Sequence, residues 1–400
     1  MKNSIQSRLL KWAALFLGSY ATILTLAPTV YERNLNAELR WGHWGGLFAW
    51  LMLTLMAHNA TQRHLPDRDP YLLAITSLLS GWGLLTIWQL SSSFGLRQII
   101  WLGISIAVLL IGVRLKNLLP TLRRYKYLWL TTGLFLTALT LIFGSNPAGS
   151  GARLWLGFSG VFLQPSEPLK LFLIIYLAAY LADRTPFRGG TFSLLYPTLL
   201  LTGFALVLLL IQRDLGTASI FIILFTLVLY LATDRKVILL LSAGALALSS
   251  IIGYYLIDII HLRIIAWFDP WADPSGRGYQ VIQSLMAIAN GGLLGRGPGL
   301  GSPEFVPVAH SDFIFSALAE QTGLVGTIGL LTLIGILLAR GLRIALHASN
   351  GFHRLLAGGL TAYLGVQSLL IIGGNLRLLP LTGVTLPFIS YGGSSLLTSY

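Results

Sequence analysis

Long apolar runs separated by short polar stretches dominate the chain. Twelve can be marked, at 11–29, 43–58, 71–90, 98–114, 127–144, 168–182, 193–211, 217–233, 237–260, 313–339, 355–374 and 384–400, the second a short one. Most reach the ~17 to 25 residues that a helix needs to cross a bilayer. The pattern therefore predicts an all-α, polytopic transmembrane bundle of about twelve helices. The first run, from Trp12 to about Val30, is long and lacks an A-x-A-like site after it, so it is expected to remain as a helix and not to be cleaved as a signal. The last run, VTLPFISYGGSSLLTSY, carries Pro387 and the Gly392-Gly393 pair before it becomes continuous. It stops roughly ten residues short of a full span, which predicts a truncated last helix.

The connection from about His261 to Ser311 is far longer than the others, and structureless connections of that length are usually functional. Within it, Tyr279 to Ala289 reads as an amphipathic or re-entrant helix, and the Gly and Pro around it suit a shaped backbone. The run GGLLGRGPGLG looks like a phosphate-cradling loop only superficially. No strand precedes it and no GK[ST] follows, so a flexible loop is the expectation.

Composition agrees with a membrane protein: 55% of the 400 residues are hydrophobic, only 10% are charged, and mean hydropathy is +0.75. Forty-three glycines suit helices that pack closely in lipid. The chain has no cysteine, which excludes disulfides, thiolate metal sites and thiol nucleophiles. The net charge of +13 would suit nucleic acid, but in a bundle of this kind it reads as cytoplasmic loops rich in Lys and Arg, and no nucleic-acid partner is expected. With the N-terminus inside, most of the basic residues fall on the cytoplasmic side and the long connection lies outside.

Ionisable groups in or beside membrane segments cost about 2.5 to 3.5 kcal/mol each at a helix centre, so those retained call for a reason. Arg153, Glu167, Lys170, Arg213, Asp214, Arg263 and Asp312 cluster near the outer ends of the runs, with Glu320 about 12 Å further down its helix. Together they could line one outward-facing polar cavity. In QPSEPLK, Ser166 and Glu167 suit a helix start, whereas the cation Lys170 opposes the helix dipole and needs a partner, Glu167 at i,i+3 or an anionic ligand. In QRDLGTA, Asp214 can cap a helix, and Arg213 can pair with it or face a phosphate. In GARLWLG, Arg153 and Trp155 suit interfacial anchors. In VAHSDFIFSALAEQ, Asp312 has two readings of equal weight: a helix cap, or a general base whose pKa is raised by partial burial. His310 could orient it, bind metal with it, or face water.

Taken in order and spacing, GARLWLGFSGVFLQPSEPLK, QRDLGTA, FDPWADPSGRGYQVIQSLMAIANGGLLGRGPGLG, VAHSDFIFSALAEQTGLVG and LPFISYGGSS resemble the SEDS family (shape, elongation, division and sporulation), which includes RodA and FtsW. The resemblance covers about residue 69 to the end. It implies a ten-helix core at 63–400, with residues 1–62 as a two-helix N-terminal extension. It also implies a peptidoglycan glycosyltransferase that polymerises lipid II, the undecaprenyl-diphosphate-linked disaccharide peptide, at the outer face of the bacterial cytoplasmic membrane, in cell elongation or division. A class B penicillin-binding protein would be its partner. The essential carboxylate of the family falls on Asp312, its loop tryptophan on Trp155, and its QPSE-x-x-K segment on Glu167 and Lys170. In that chemistry the sugar already carries a good leaving group. One base and charge stabilisation then suffice, the latter from Lys170, Arg153, Arg213 or Arg263, or from a divalent cation such as Mg or Mn. Here Leu154 separates Arg153 from Trp155, and Arg213 stands where the family usually has Pro. The alternatives are a lipid II flippase or other transporter, and a noncatalytic scaffold for a penicillin-binding protein. Charges concentrated at one rim disfavour the first, and retention of Asp312 disfavours the second.

Overall fold

The computed structural model describes residues 2–34, 36–146, 152–158, 161–184 and 191–400. Gly151, Ser159 and Gly160 of the quoted motifs, and residues 185–190 of the connection between the runs 168–182 and 193–211, lie outside the described residues. The chain divides into two compact units, each assembled from separate stretches. The first comprises Met1–Leu115, Ile259–Arg340 and Ser368–Tyr400, the second Lys116–Asp258 and Gly341–Gln367.

Every apolar run contains a helix: α1 (Lys2–Tyr31), α2 (His43–His64), α3 (Leu72–Leu90), α4 (Ser92–Arg114), α6 (Lys126–Phe143), α7 (Ser166–Ala182), α8 (Thr191–Ile211), α9 (Leu215–Thr233), α10 (Lys236–Leu256), α13 (Ile314–Leu346), α14 (Gly351–Asn375) and α15 (Gly393–Ser399). Among the described residues, eight of these are long and apolar enough to cross a membrane, and the protein is a polytopic helical membrane protein. Among the described residues three further α-helices lie outside the expected pattern or subdivide it. The seven-residue α5 (Leu118–Arg124) sits in a basic connection. The run 237–260 breaks at Ile257, whose backbone is extended, so that α11 (Asp258–Phe268) is separate. Residues Tyr279–Gly291 form α12, the amphipathic helix expected within the long connection. The last run differs most. Residues 384–392 are not helical, with Phe388 at φ 66° ahead of the Gly-Gly pair, and only seven residues remain for α15.

In the first unit, α1 and α2 pack against α3 and α4. The contact centres on Gly81 of α3, where a Cβ would lie 2.3 Å from the Leu17 side chain and 2.8 Å from the Trp50 indole nitrogen. Trp50 is buried, and its indole N–H donates to the Ser77 carbonyl at 2.7 Å. Close approach through a small residue is how helices gain packing in lipid, where no hydrophobic drive separates them from solvent.

The feature that places the functional residues is a break in α13. Gly323 adopts φ 64°, ψ −164°, which is not helical. The break frees carbonyls before it and N–H groups after it, and the glycine-rich strand of chain that follows α12 takes them up. Arg296 and Gly297 N–H donate to the Glu320 and Gln321 carbonyls, both at 2.9 Å. Leu324 and Val325 N–H donate to the Gly292 and Leu293 carbonyls at 2.9 and 3.1 Å. GGLLGRGPGLG is thus an ordered strap where a flexible loop was expected. Its glycines are needed because Gly295 has φ 86° and a Cβ there would lie 2.2 Å from the Gln321 carbonyl oxygen.

The second unit contains α5 to α10, a two-stranded hairpin of β1 (Leu156–Phe158) and β2 (Val161–Leu163), and the facing ends of α13 and α14. Its centre is α7, which is buried along most of its length.

Gly323→Ala places a methyl group 2.3 Å from the Gly295 nitrogen at positive φ. It should cost about 2 to 3 kcal/mol of stability. Gly329→Ala, six residues on, where a Cβ meets open space, should cost nothing. Thermal unfolding of both variants in detergent checks the pair; equal midpoints would mean that the break carries no strain.

Candidate active site

Asp312 sits in the turn that leads into α13, half-buried, in the wall of a cavity of about 460 Å³ within the first unit. The same wall holds Arg263 and Trp267 of α11, Arg277, Tyr279 at the start of α12, and Gly383. Asp312 Oδ1 accepts the Ser311 hydroxyl at 2.8 Å. Its Oδ2 and the Arg263 guanidinium converge on the space over Gly383, where a Cβ would lie 3.6 Å from Oδ2 and 3.8 Å from Arg263 Nη2. Arg263 also donates to the Thr382 carbonyl at 3.3 Å, which holds it on that side of the cavity.

Burial pushes the Asp312 carboxyl above the usual carboxylate range, and the Ser311 hydroxyl and the Arg263 charge only partly offset it. A partly desolvated carboxylate with one hydrogen bond to spare can accept a proton from a neighbouring hydroxyl. The capping role does not fall to its side chain. At the start of α13 the Ser316 N–H donates to the side chain of Asn375, at 3.3 Å.

His310 is held in an aromatic cluster, stacked on Phe94 at 4.2 Å between centroids and edge-on to Tyr391 at 5.5 Å. Burial lowers its pKa. Glu320 closes the first half of α13, buried, with Oε1 accepting the Ser302 N–H at 3.2 Å. The strap ties its carbonyl, and its side chain serves the same junction.

The remaining sequence candidates belong to the second unit. Lys170 is fully buried, and its ammonium donates to Glu167 Oε1 at 2.7 Å and to Gln367 Oε1 at 3.2 Å beside the Tyr363 ring. The i,i+3 partner foreseen for it is present. Asp214 caps α9 by accepting the Thr217 N–H at 3.1 Å, and also accepts the Ser166 hydroxyl at 3.0 Å. Ser166 therefore begins α7 without capping it. Arg213 is exposed in the tight turn before α9, at φ 60°. Arg153 is exposed, and Trp155 is half-buried in a backbone bridge with Ser145 that leads into the hairpin. Of the ten candidates, Arg263 and Asp312 line the 460 Å³ cavity.

Sequence reasoning missed Arg277, Arg377 and Asn375, which line it too. Arg377 carries a structural load, donating to the Trp267 and Phe268 carbonyls at the end of α11. Arg277 lies in SGRGYQ, among glycines that read simply as loop. Among the described residues no group of three His, Asp or Glu is placed to hold a metal ion. One carboxylate among arginines does not make a resident divalent-cation site, which takes several oxygen ligands.

The family model described as cell cycle protein, for FtsW, RodA and SpoVE, matches residues 71–400. The chain belongs to this family. The peptidoglycan glycosyltransferase RodA of Mycobacterium tuberculosis is 35% identical over 411 residues, 97% of this chain and 88% of that one. The probable peptidoglycan glycosyltransferase FtsW of Geobacter metallireducens is 38% identical over 309 residues, 76% of this chain and 81% of that one. A solved chain from a peptidoglycan synthase complex superposes with a TM-score of 0.60 at 30% identity, covering 89% of this chain and 93% of its own. The FtsW/RodA/SpoVE match begins beside the start of α3 and takes in the whole cavity wall, whereas α1 and α2 precede it.

Because burial raises the Asp312 pKa, its neutral form is the one the fold favours. Its contribution to stability is present below the unfolded carboxylate pKa and is lost as pH rises through the folded one. Asp312→Asn should therefore be more stable than the native protein at neutral pH, with the gain shrinking as pH falls toward 4. Melting curves over that range check the sign; a variant less stable at neutral pH would show that the carboxylate supports the fold.

Proposed function

We propose that this protein is a peptidoglycan glycosyltransferase that polymerises lipid II, with Asp312 as the general base, at the outer face of the bacterial cytoplasmic membrane. The observation that carries the proposal is the convergence of Asp312 Oδ2 and the Arg263 guanidinium on one open point of the cavity. The glycosyltransferase activity itself is that of the FtsW/RodA relatives, at 35 to 38% identity over most of the chain.

The acceptor's 4-hydroxyl attacks the anomeric carbon of the donor sugar. The new C–O bond forms as the bond to the diphosphate breaks, Asp312 takes the hydroxyl proton, and undecaprenyl diphosphate leaves with the electron pair. No second carboxylate is required, because the leaving group needs no protonation of the kind that glycoside hydrolysis demands. Arg263 and Arg277 supply positive charge along the cavity for the diphosphate. Lys170, paired inside its own unit, keeps a structural role.

The positive-inside pattern supports a cytoplasmic N-terminus, because the connections carrying most Lys and Arg then share the inner side and the Asp312 cavity opens on the other. The relative solved within a peptidoglycan synthase complex supports a class B penicillin-binding protein as partner, with lipid II as substrate. The flippase reading draws on the broken α13, since interrupted helices line transport sites. Here, however, the strap occupies the break, its N–H groups on the Glu320 and Gln321 carbonyls and its carbonyls on the Leu324 and Val325 N–H groups, so that much of the backbone a solute would use is already engaged.

Polymerisation of labelled lipid II by purified protein with its penicillin-binding partner should fall by at least about a hundredfold in Asp312→Asn. The native rate should rise with pH through an Asp312 pKa lying above the usual ~4. A fully active variant would remove Asp312 from the chemistry, and inactivity of the native protein as well would favour the flippase or scaffold. Sidedness has its own check, because the native chain has no cysteine. On intact cells an impermeant maleimide should label Ser275→Cys and spare Ser349→Cys, both exposed positions; the reverse pattern would invert the orientation.

A further inference from the structure

Behind Asp312 lies a buried polar cluster that the proposed chemistry does not use. Asn375, the last residue of α14, is 1% exposed. Its Nδ2 donates to the Asp312 carbonyl at 2.8 Å and to the Ile371 carbonyl at 2.9 Å. Its Oδ1 accepts the Ser316 hydroxyl at 2.7 Å and the Ser316 N–H at 3.3 Å. Ser284 of α12 donates to the Asn375 carbonyl at 2.9 Å and lies 2.6 Å from the Ser316 hydroxyl. All of these groups belong to the first unit.

One planar amide therefore does two jobs. Its oxygen caps the start of α13 from a neighbouring helix, satisfying an N–H that has no partner within its own helix. Its NH₂ group grips the backbone of the residue whose carboxylate faces the cavity. Because the cap comes from Asn375, the Asp312 side chain is not drawn into the helix end and can turn to the cavity. Few side chains offer both a donor pair and an acceptor on one rigid head. Asp keeps the acceptor and loses the donors, and Gln sets the head one methylene further out.

We infer that Asn375 is a positioning residue for Asp312, holding its backbone so that the carboxylate meets the acceptor hydroxyl. The inference rests on the reading of Asp312 as the base. A displacement of about 1 Å at a reacting group can cost about a hundredfold in rate, so the grip on one carbonyl has leverage on turnover out of proportion to its effect on stability.

Asn375→Asp separates the two jobs. It keeps the cap, at a helix start that favours negative charge, and removes the donors to Asp312 and Ile371. Lipid II polymerisation should be measured on the alkaline plateau of the pH profile, where Asp312 is ionised in either protein. There kcat should fall about tenfold to a hundredfold with KM within about twofold of native. The acid limb should move to higher pH, because the added carboxylate opposes ionisation of Asp312. Trp50→Phe serves as the control, since it loses a buried hydrogen bond to Ser77 remote from the cavity and should be destabilised with plateau kcat unchanged. A plateau kcat within twofold of native in Asn375→Asp would overturn the inference, as would a loss no greater than its fall in folded fraction. Should that variant not fold, Ser316→Ala loosens the same amide by removing its hydroxyl partner and should lower kcat about threefold to tenfold; native turnover there would overturn the inference equally. An active Asp312→Asn would remove the underlying reading, whereas an inactive Asp312→Asn beside a native-like Asn375→Asp would remove this inference alone.

Discussion

A backbone inside a membrane has no water to turn to, so each N–H and C=O must find a partner within the protein. The break at Gly323 exposes that constraint directly, because an interrupted helix leaves orphan groups on both sides of the interruption. Four hydrogen bonds with the glycine-rich strap take up the Glu320 and Gln321 carbonyls before the break and the Leu324 and Val325 N–H groups after it. The short first half of α13 is thereby fixed at its lower end, with Glu320 and Gln321 tied, and at its upper end by Asn375 through Ser316. Asp312 stands at the upper end of a segment clamped at both ends, which is the rigidity a proton acceptor requires.

Much of the architecture was legible because lipid imposes a crude rule. An apolar run of sufficient length becomes a helix, and every run marked in the chain contains one. Asp312 and Arg263 were legible for the same reason, since ionisable groups stand out against so apolar a background. The Glu167–Lys170 pair followed from i,i+3 spacing alone.

What escaped the sequence is what pairwise tertiary contacts decide. Gly323 follows Glu320, Gln321 and Thr322 and opens an apolar stretch in which a glycine reads as an ordinary packing residue, and only the strap's approach shows that it ends a helix. Ile257 offers no glycine or proline to announce the separation of α10 from α11. Asn375 reads as a polar residue at a helix end, and three of its four side-chain bonds reach Asp312 and Ser316, distant positions that no local pattern relates to it. The last run did carry its signals, Pro387 and the Gly-Gly pair. They outweigh apolarity because the irregular backbone there is buried in protein, which spares it the cost of facing lipid.

The order of these contacts along the chain also sets an order of assembly. The strap precedes α13, so when α13 emerges during synthesis the partners for its break already exist, and that junction can close from a contiguous piece of nascent chain. Asn375 comes more than fifty residues after Ser316, at the end of the next long helix. The cavity wall itself takes in Ile371, Gly374 and Gly383, so the cavity and the alignment of its carboxylate are completed together, and the chain becomes competent for chemistry only once α14 and the segment after it are in place.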